Sequence, residues 1–424
     1  MNLQKRLAGV LTGLVCISLP ASCTPHGDGT HPVTITDTGN ASDLFAPPVQ
    51  TDTGWETSSL GVMIPARDIC TKTNGDASYF KTYNPKPEDT SSAAPDSATT
   101  LVSLNPQDGS VRWARKITPE MHTNYVENHT SNKSKNPQES FLDFQECAGT
   151  SFVSNERYLA FYLRPWMASE GSSSISDQRM NIVVLDATTG NEVRTIEVSG
   201  LVLGQAIVND SLVVETAQNY YPAGTGVLNV FSLTDPHAEP ATIRTDNWLI
   251  GSTNDSLLMS PQSSGKYSGF RGRGPYWIST ITRTTVSGEE IETFTGVTAI
   301  HPNGWIERAQ DPKAAVTEAA ANPANALLTT LPRDLINIDS GTSLDITGQY
   351  VADVSLPTGP ALLLQTVTTT GEGENKKTTF INHSRLPATP DATEPRTNDI
   401  QQIHLDNKAN KVFSKPIRMG EEEK

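Results

Sequence analysis

The stretch of this sequence with the composition of a contact surface is GKYSGFRGRGPYW, residues 265–277, which gathers Tyr267, Phe270, Arg271, Arg273, Tyr276 and Trp277. Arginine donates a planar fork of hydrogen bonds, and aromatic rings bring large area at low entropic cost, so the pairing suits a carboxylate-bearing or sugar-ring partner. Tyr276 and Trp277 are equally placed to open the next strand as core residues, which would leave a glycine-flanked arginine pair. Tyr220, Tyr221 and Trp166, on neighbouring excursions, could extend the same surface. Catalytic chemistry has less to stand on. His122 and His129 are seven residues apart, whereas zinc ligands on one turn usually lie three to five apart with further ligands nearby. No calcium loop, GxSxG elbow, phosphate loop or HExxH is present, and no residue is nominated as a nucleophile.

The four cysteines speak of compartment rather than catalysis. Lys5 and Arg6 precede an apolar run at residues 7–19, too short to span a bilayer comfortably but suited to a secretory signal. Residues 1–22 are therefore expected to be removed. Cys23 follows Pro20-Ala21-Ser22, which resembles a bacterial lipobox, with Pro20 where that pattern has leucine. The resemblance implies a diacylated Cys23 and attachment of the chain to a membrane through lipid; simple secretory cleavage is the alternative. Cys16 leaves with the signal, so Cys70 and Cys147 remain as a pair in an oxidising compartment, and a disulfide between them is expected. Closing that loop would contribute roughly 4 kcal/mol in the chain-entropy account.

Net charge narrows the partners. With 32 Lys and Arg against 47 Asp and Glu, the formal charge is −15, the wrong sign for a sequence-neutral grip on nucleic acid. Losing residues 1–22 removes two cations and makes the mature chain more acidic still. Anchoring would then fall to the lipid, since no basic patch faces anionic headgroups. The partner expected is another extracytoplasmic protein or a cell-envelope glycan.

The elements that must position these residues repeat along the chain. An alternating apolar run, a polar turn with Gly or Asn, and a second alternating run occur as LVSLNPQDGSVRWAR (101–115) and VVLDATTGNEVRTIE (183–197), with weaker copies at 227–243, 278–294, 335–346 and 400–414. Period-two alternation around such turns predicts hairpins. Asn-containing turns at 151–163, 206–217 and 251–260 add a second hairpin type that precedes the first. Asn209-Asp210-Ser211 and Asn254-Asp255-Ser256 are formal glycosylation sequons, read here as tight turns. Two hairpins in succession make a four-stranded meander, one propeller blade.

VVLDATTGNE resembles the pyrroloquinoline-quinone-like (PQQ-like) propeller repeat at Leu185, Asp186, Ala187, Thr189 and Gly190, and VSLNPQDGSVRW does so at Leu104, Gly109 and Trp113. The resemblance implies an all-β propeller of six or seven four-stranded antiparallel blades, a seventh blade being closed by strands from both termini. The layout expected is a signal at 1–22, a flexible tether at 23–54, the propeller at 55–418 and an acidic tail at 419–424. A helix is expected at 313–321, capped by Asp311 with Pro312 at its first position. Long excursions at 71–98, 118–145, 164–179, 218–225, 261–274, 311–325 and 368–398 would leave the blades on one rim, because strand alternation puts every B–C and D–A connection at the same end. The resemblance also implies a rival, a PQQ-dependent dehydrogenase, but the chain has no Cys-Cys pair, one repeat tryptophan and no calcium constellation. No cofactor is expected. The function expected is a membrane-anchored, non-catalytic protein-binding module like the propeller lipoproteins of outer-membrane assembly machinery; a glycan or solute receptor is the third possibility.

Overall fold

Alternating Val, Leu, Ile and Thr runs become strands throughout, and their burial follows their place in each sheet. Leu201–Val208 and Tyr158–Tyr162 are almost wholly buried and correspondingly apolar, whereas the outer strand Ala241–Thr245 is largely exposed. The computed structural model describes residues 33–38, 43–60, 73–74, 77–83, 99–120, 122, 152–163, 165–217, 226–261, 279–321, 331–356, 359–370, 377–387, 401–406 and 408–417.

Among these residues the strands form six sheets, all paired antiparallel in sequence order with few exceptions. The first contains Thr73–Asn74, Ala77–Tyr83, Thr99–Leu104 and Val111–Pro119, with Val33–Asp37 added outside Val111–Pro119. The second contains Phe152–Ser154, Tyr158–Tyr162, Gln178–Asp186 and Glu192–Ser199, and the short Trp166–Met167 pairs with Gln178–Asp186. Leu201–Val208, Ser211–Ala217, Gly226–Ser232 and Ala241–Thr245 make the third.

The fourth is a seven-stranded ribbon from Asn247–Ser252 to Ser343–Asp345. It turns within Glu290–Ile300, whose first part pairs with Ser279–Thr284 and whose last part pairs with Trp305–Ala309. The turn falls at Gly296, which has φ +77 and would set a Cβ 2.6 Å from Pro312 Cγ. Gly200 makes the same bend between the second and third sheets, at φ +90. The fifth sheet is Gln349–Leu356, Gly359–Thr370 and Lys377–Pro387. The sixth joins the C-terminal hairpin Gln401–Asp406 and Lys411–Pro416 to Gly54–Ser58 and Val49–Thr51 from the N-terminal side.

Hydrophobic clusters join these sheets into a ring. Trp113 and Ile117 of the first sheet pack on Leu159, Phe161 and Leu185 of the second. Met180 and Ile182 pack on Val202 and Leu212, and Val213 and Leu228 on Leu249 and Met259. Inside the ribbon, Leu258 and Ile281 meet Val297 and Ile306 across the Gly296 bend. Trp305 and Leu335 pack on Val351 and Leu362; Val354 and Leu363 pack on Ile417; and Trp55, Ile403 and Val412 pack on Val102 and Leu104, back at the first sheet. The fold is an all-β propeller.

The structure departs from the sequence reading in three places. The tether expected at 23–54 includes strands Val33–Asp37 and Val49–Thr51 and the buried Phe45, because free edges of the first and sixth sheets supply hydrogen bonds that a short polar-rich segment cannot supply itself. Much of the excursions expected at 71–98 and 368–398 is strand, since their Thr-rich runs suit a pleated, half-exposed surface. The 164–179 excursion is also folded, with Trp166–Met167 and a 3-10 turn at Ile175–Asp177.

The helix Pro312–Ala321 forms where the sequence places it. Asp311 Oδ1 accepts from the backbone N–H of Lys313 and of Ala314, each at 3.0 Å. Asp311→Ala is expected to lower stability by about 1 kcal/mol in urea unfolding, and an unchanged midpoint would show that the cap is idle. The Asn209 turn forms as well, with φ +50 at a position that asparagine tolerates.

Candidate functional site: the loop rim

Because successive strands alternate in direction, the short turns at 155–157, 187–191, 209–210, 253–256 and 285–289 lie on one rim. The connections 84–98, 120–151, 163–177, 218–225, 262–278 and 310–332 leave from the other. The second rim also carries the helix Pro312–Ala321 and the 3-10 turn.

Two residues singled out in the sequence meet on this loop rim. His122, just beyond Val111–Pro119, stacks on Trp166 with ring centroids 3.9 Å apart and planes 7° from parallel. Burial pushes the His122 imidazole below its ordinary range, against the raising pull of Glu120 and Glu197. Trp166 itself is 7 % exposed. Its indole is engaged by His122 and its backbone by Arg179, so it shapes the rim rather than offering an open face. Arg179 then holds the base of the connection, donating to Ser176 O at 2.7 Å and lying 3.7 Å from Glu197. Two neighbouring connections are thereby packed together.

Tyr220, Tyr221, Tyr267, Phe270, Arg271 and Arg273 lie outside the described residues, as do Cys23, Cys70 and Cys147. In the sequence, Tyr220 and Tyr221 fall between Ser211–Ala217 and Gly226–Ser232, and Tyr267, Phe270, Arg271 and Arg273 fall between Leu257–Pro261 and Ser279–Thr284.

Sequence reasoning did not find a buried charged cluster that, among the described residues, lies where the ribbon meets the fifth sheet. His301 Nδ1 is 2.7 Å from Asp353 Oδ1, and His301 Nε2 is 3.1 Å from Glu307 Oε1. The other Glu307 oxygen accepts from Arg333, whose guanidinium also donates to Gln349 O. His301, Glu307 and Arg333 are buried, while the Asp353 side chain is half exposed. Burial alone would lower the His301 pKa, but the hydrogen bonds and charges of Asp353 and Glu307 outweigh it and raise it to about 9. With a carboxylate on each ring nitrogen, this histidine has no nitrogen left to activate a hydroxyl or thiol. The cluster binds two sheets together. The signal was faint, a histidine and a glutamate in one hairpin, the histidine's partner Asp353 lying 52 residues further on and the glutamate's partner Arg333 lying 26 residues further on.

Sequence reasoning also took Trp113 as the only repeat tryptophan, and the structure adds Trp55. Trp113 Nε1 donates to Ala187 O at 3.1 Å and its ring lies over Gly190; Trp55 Nε1 donates to Pro106 O at 2.9 Å and its ring lies over Gly109. Arg115 extends the first of these docks, donating to Gly190 O and Thr189 O.

No protein-family model and no curated protein matches the chain. Among solved structures, similarity extends to an acylaminoacyl peptidase in complex with Z-Gly-Gly-Phe-chloromethyl ketone, at 9 % identity and a TM-score of 0.37 over 80 % of this chain and 57 % of that one. It extends also to the β-propeller domain of the Trilobed protease from Pyrococcus furiosus, described as having an open velcro topology, at 10 % identity and a TM-score of 0.38 over 74 % and 82 %. A third is TolB from Acinetobacter baumannii, at 10 % identity and a TM-score of 0.30 over 92 % and 81 %. The chain spans little more than half the length of the acylaminoacyl peptidases it matches. These are likenesses of fold alone.

Proposed function

We propose that this protein is a non-catalytic, exported propeller lipoprotein, held at a membrane by lipid on Cys23, that binds another extracytoplasmic protein through its loop rim. The observation that carries the reading is the number of long connections leaving the loop rim, two of which are packed together by the His122–Trp166 stack; the other rim has mostly tight turns, with the connections 38–48 and 388–400 as its longer exceptions. Binding sites are disproportionately built on loops that a rigid scaffold positions. The buried histidine, fully engaged by carboxylates, gives no support to a hydrolytic alternative.

In this reading the propeller has seven blades, the ribbon counting as two on either side of Gly296, in keeping with seven seams between successive sheets. Kinship with the PQQ-like repeat is supported by the dock in which Trp113, Ala187 and Gly190, all motif residues, meet. An oxidising compartment would, in this reading, favour a bridge between Cys70 and Cys147.

Crosslinking in intact envelopes, followed by capture from detergent, tests the binding role. One defined crosslinked species is expected with the native chain, reduced about tenfold when Arg271 and Arg273 are both changed to alanine and unchanged by Thr188→Ala on the short-turn rim. A species equally abundant in all three, or a glycan in place of protein, would redirect the reading. Dye-linked alcohol oxidation after reconstitution with pyrroloquinoline quinone and calcium would overturn it.

A further inference from the structure

The first described strand fixes where the N-terminal segment meets the propeller. Val33–Asp37 pairs antiparallel with Val111–Pro119, and the register sets Val33 opposite Pro119 and Asp37 opposite Arg115. Val111 follows a short turn, whereas Pro119 leads into the 120–151 connection. The chain therefore enters Val33–Asp37 at the loop rim and runs toward the short-turn rim. The entry is well secured: Val33 is buried, Ile35 packs against the same core, and Asp37 lies 3.4 Å from the Arg115 guanidinium.

We propose that the loop rim is turned toward the bilayer to which the chain is attached, so that its partner is a protein embedded in that membrane. This rests on the lipid anchor at Cys23. Nine residues separate Cys23 from Val33, and the fully extended span from one to the other is at most about 36 Å. A nine-residue strand such as Val111–Pro119 is already about 30 Å long. To place the short-turn rim against the membrane, the linking chain would have to run almost fully extended down the whole side of the blade. With the loop rim at the membrane that segment would be free to keep its conformational entropy, which the extended alternative would lose residue by residue. The chain's net charge of −15 gives no attraction to anionic headgroups, so attachment geometry and the embedded partner decide the orientation.

Energy transfer to a headgroup-labelled acceptor lipid tests the orientation. The donor is attached through p-azidophenylalanine introduced at Lys313, exposed on the loop-rim helix, or at Thr188, exposed in a short turn. The chain from Cys23 onward is studied in two forms: lipidated, in neutral phosphatidylcholine vesicles, and with a His tag replacing the lipid, on vesicles bearing a nickel-chelating lipid. Transfer at least twofold greater from position 313 than from position 188 is expected in both. A 40-residue Gly-Ser insert between Asp28 and Gly29 should erase the difference. Equal or reversed transfer on the nickel vesicles, where attachment is enforced, would overturn the orientation while leaving the anchor intact. Failure of Cys23 to incorporate labelled palmitate, compared with Cys23→Ala, would overturn the anchor and this proposal with it, whatever the tagged chain shows.

Discussion

Glu307→Ala is expected to lower the unfolding free energy by about 3–5 kcal/mol, the cost of breaking a buried ion pair from one side. Glu307 is the central acceptor of the cluster, with one oxygen 3.1 Å from His301 and the other bonded to Arg333. Without it the buried guanidinium loses its only carboxylate among the described residues, and His301 loses one of its two. Arg333 Nε has no hydrogen-bond partner among the described residues, and the bond that remains, to Gln349 O, is to a neutral carbonyl that does not offset the buried charge. Urea unfolding checks this; Glu307→Gln should fall between, since an amide oxygen still accepts but carries no charge.

The same cluster sets a pH dependence. Folding raises the His301 pKa from the ordinary 6.5 to about 9. Stability from this group is therefore fully present below pH 6.5 and is lost as pH rises toward 9, when the folded state must bind its proton against falling proton activity. At about 1.4 kcal/mol per pKa unit, the loss across that window is roughly 3 kcal/mol. Unfolding midpoints at pH 6, 7.5 and 9.5 should fall steadily in the native chain and be nearly level in His301→Gln. A native profile as level as that of the variant would mean that the imidazole is neutral in its site.

Trp113→Ala should also be severe, at about 3–5 kcal/mol, because it empties the seam between the first two sheets and leaves a cavity lined by Leu159, Val183 and Leu185. Its partner position predicts how the two residues are coupled. Gly190 has φ +69, and a Cβ there would lie 2.5 Å from the Trp113 indole. Gly190→Ala incurs about 1–2 kcal/mol from the left-handed backbone alone, and overlap with the ring adds to it. Once Trp113 is alanine the overlap disappears and only the backbone cost remains. The double variant is therefore expected to lose less than the sum of the singles. Strict additivity in a urea double-mutant cycle would show that indole and glycine do not meet. Gly109 and Trp55, at 2.3 Å, should behave alike.

What could be read before folding was local. Asp186 Oδ1 accepts from the N–H groups of Thr188 and Thr189 and from the Thr189 hydroxyl, all within three residues. The Leu-Asp-Ala-x-Thr-Gly turn is thus written in adjacent side chains, as is the Asp311 cap. What could not be read was remote. Trp55 N–H bonds to Ser414 Oγ across 359 residues of sequence, and no pattern around Val33 announces that it lies opposite Pro119. In the sequence His122 had only an unsuitable zinc spacing to recommend it, and Trp166 was read as available to a partner. Their stacking depends on two connections that only strand direction brings to one rim.

The sequence by itself determined the strand period, the turn chemistry and the helix cap, because each depends on residues within a few positions of one another. Tertiary structure alone decided that Val33–Asp37 and Val49–Thr51, within the supposed tether, are strands, that four charged or ionisable side chains converge between two sheets, and at which rim Val33–Asp37 joins the propeller. Those outcomes depend on unpaired sheet edges and on buried charges seeking partners. Both are satisfied only once the ring has brought distant segments together.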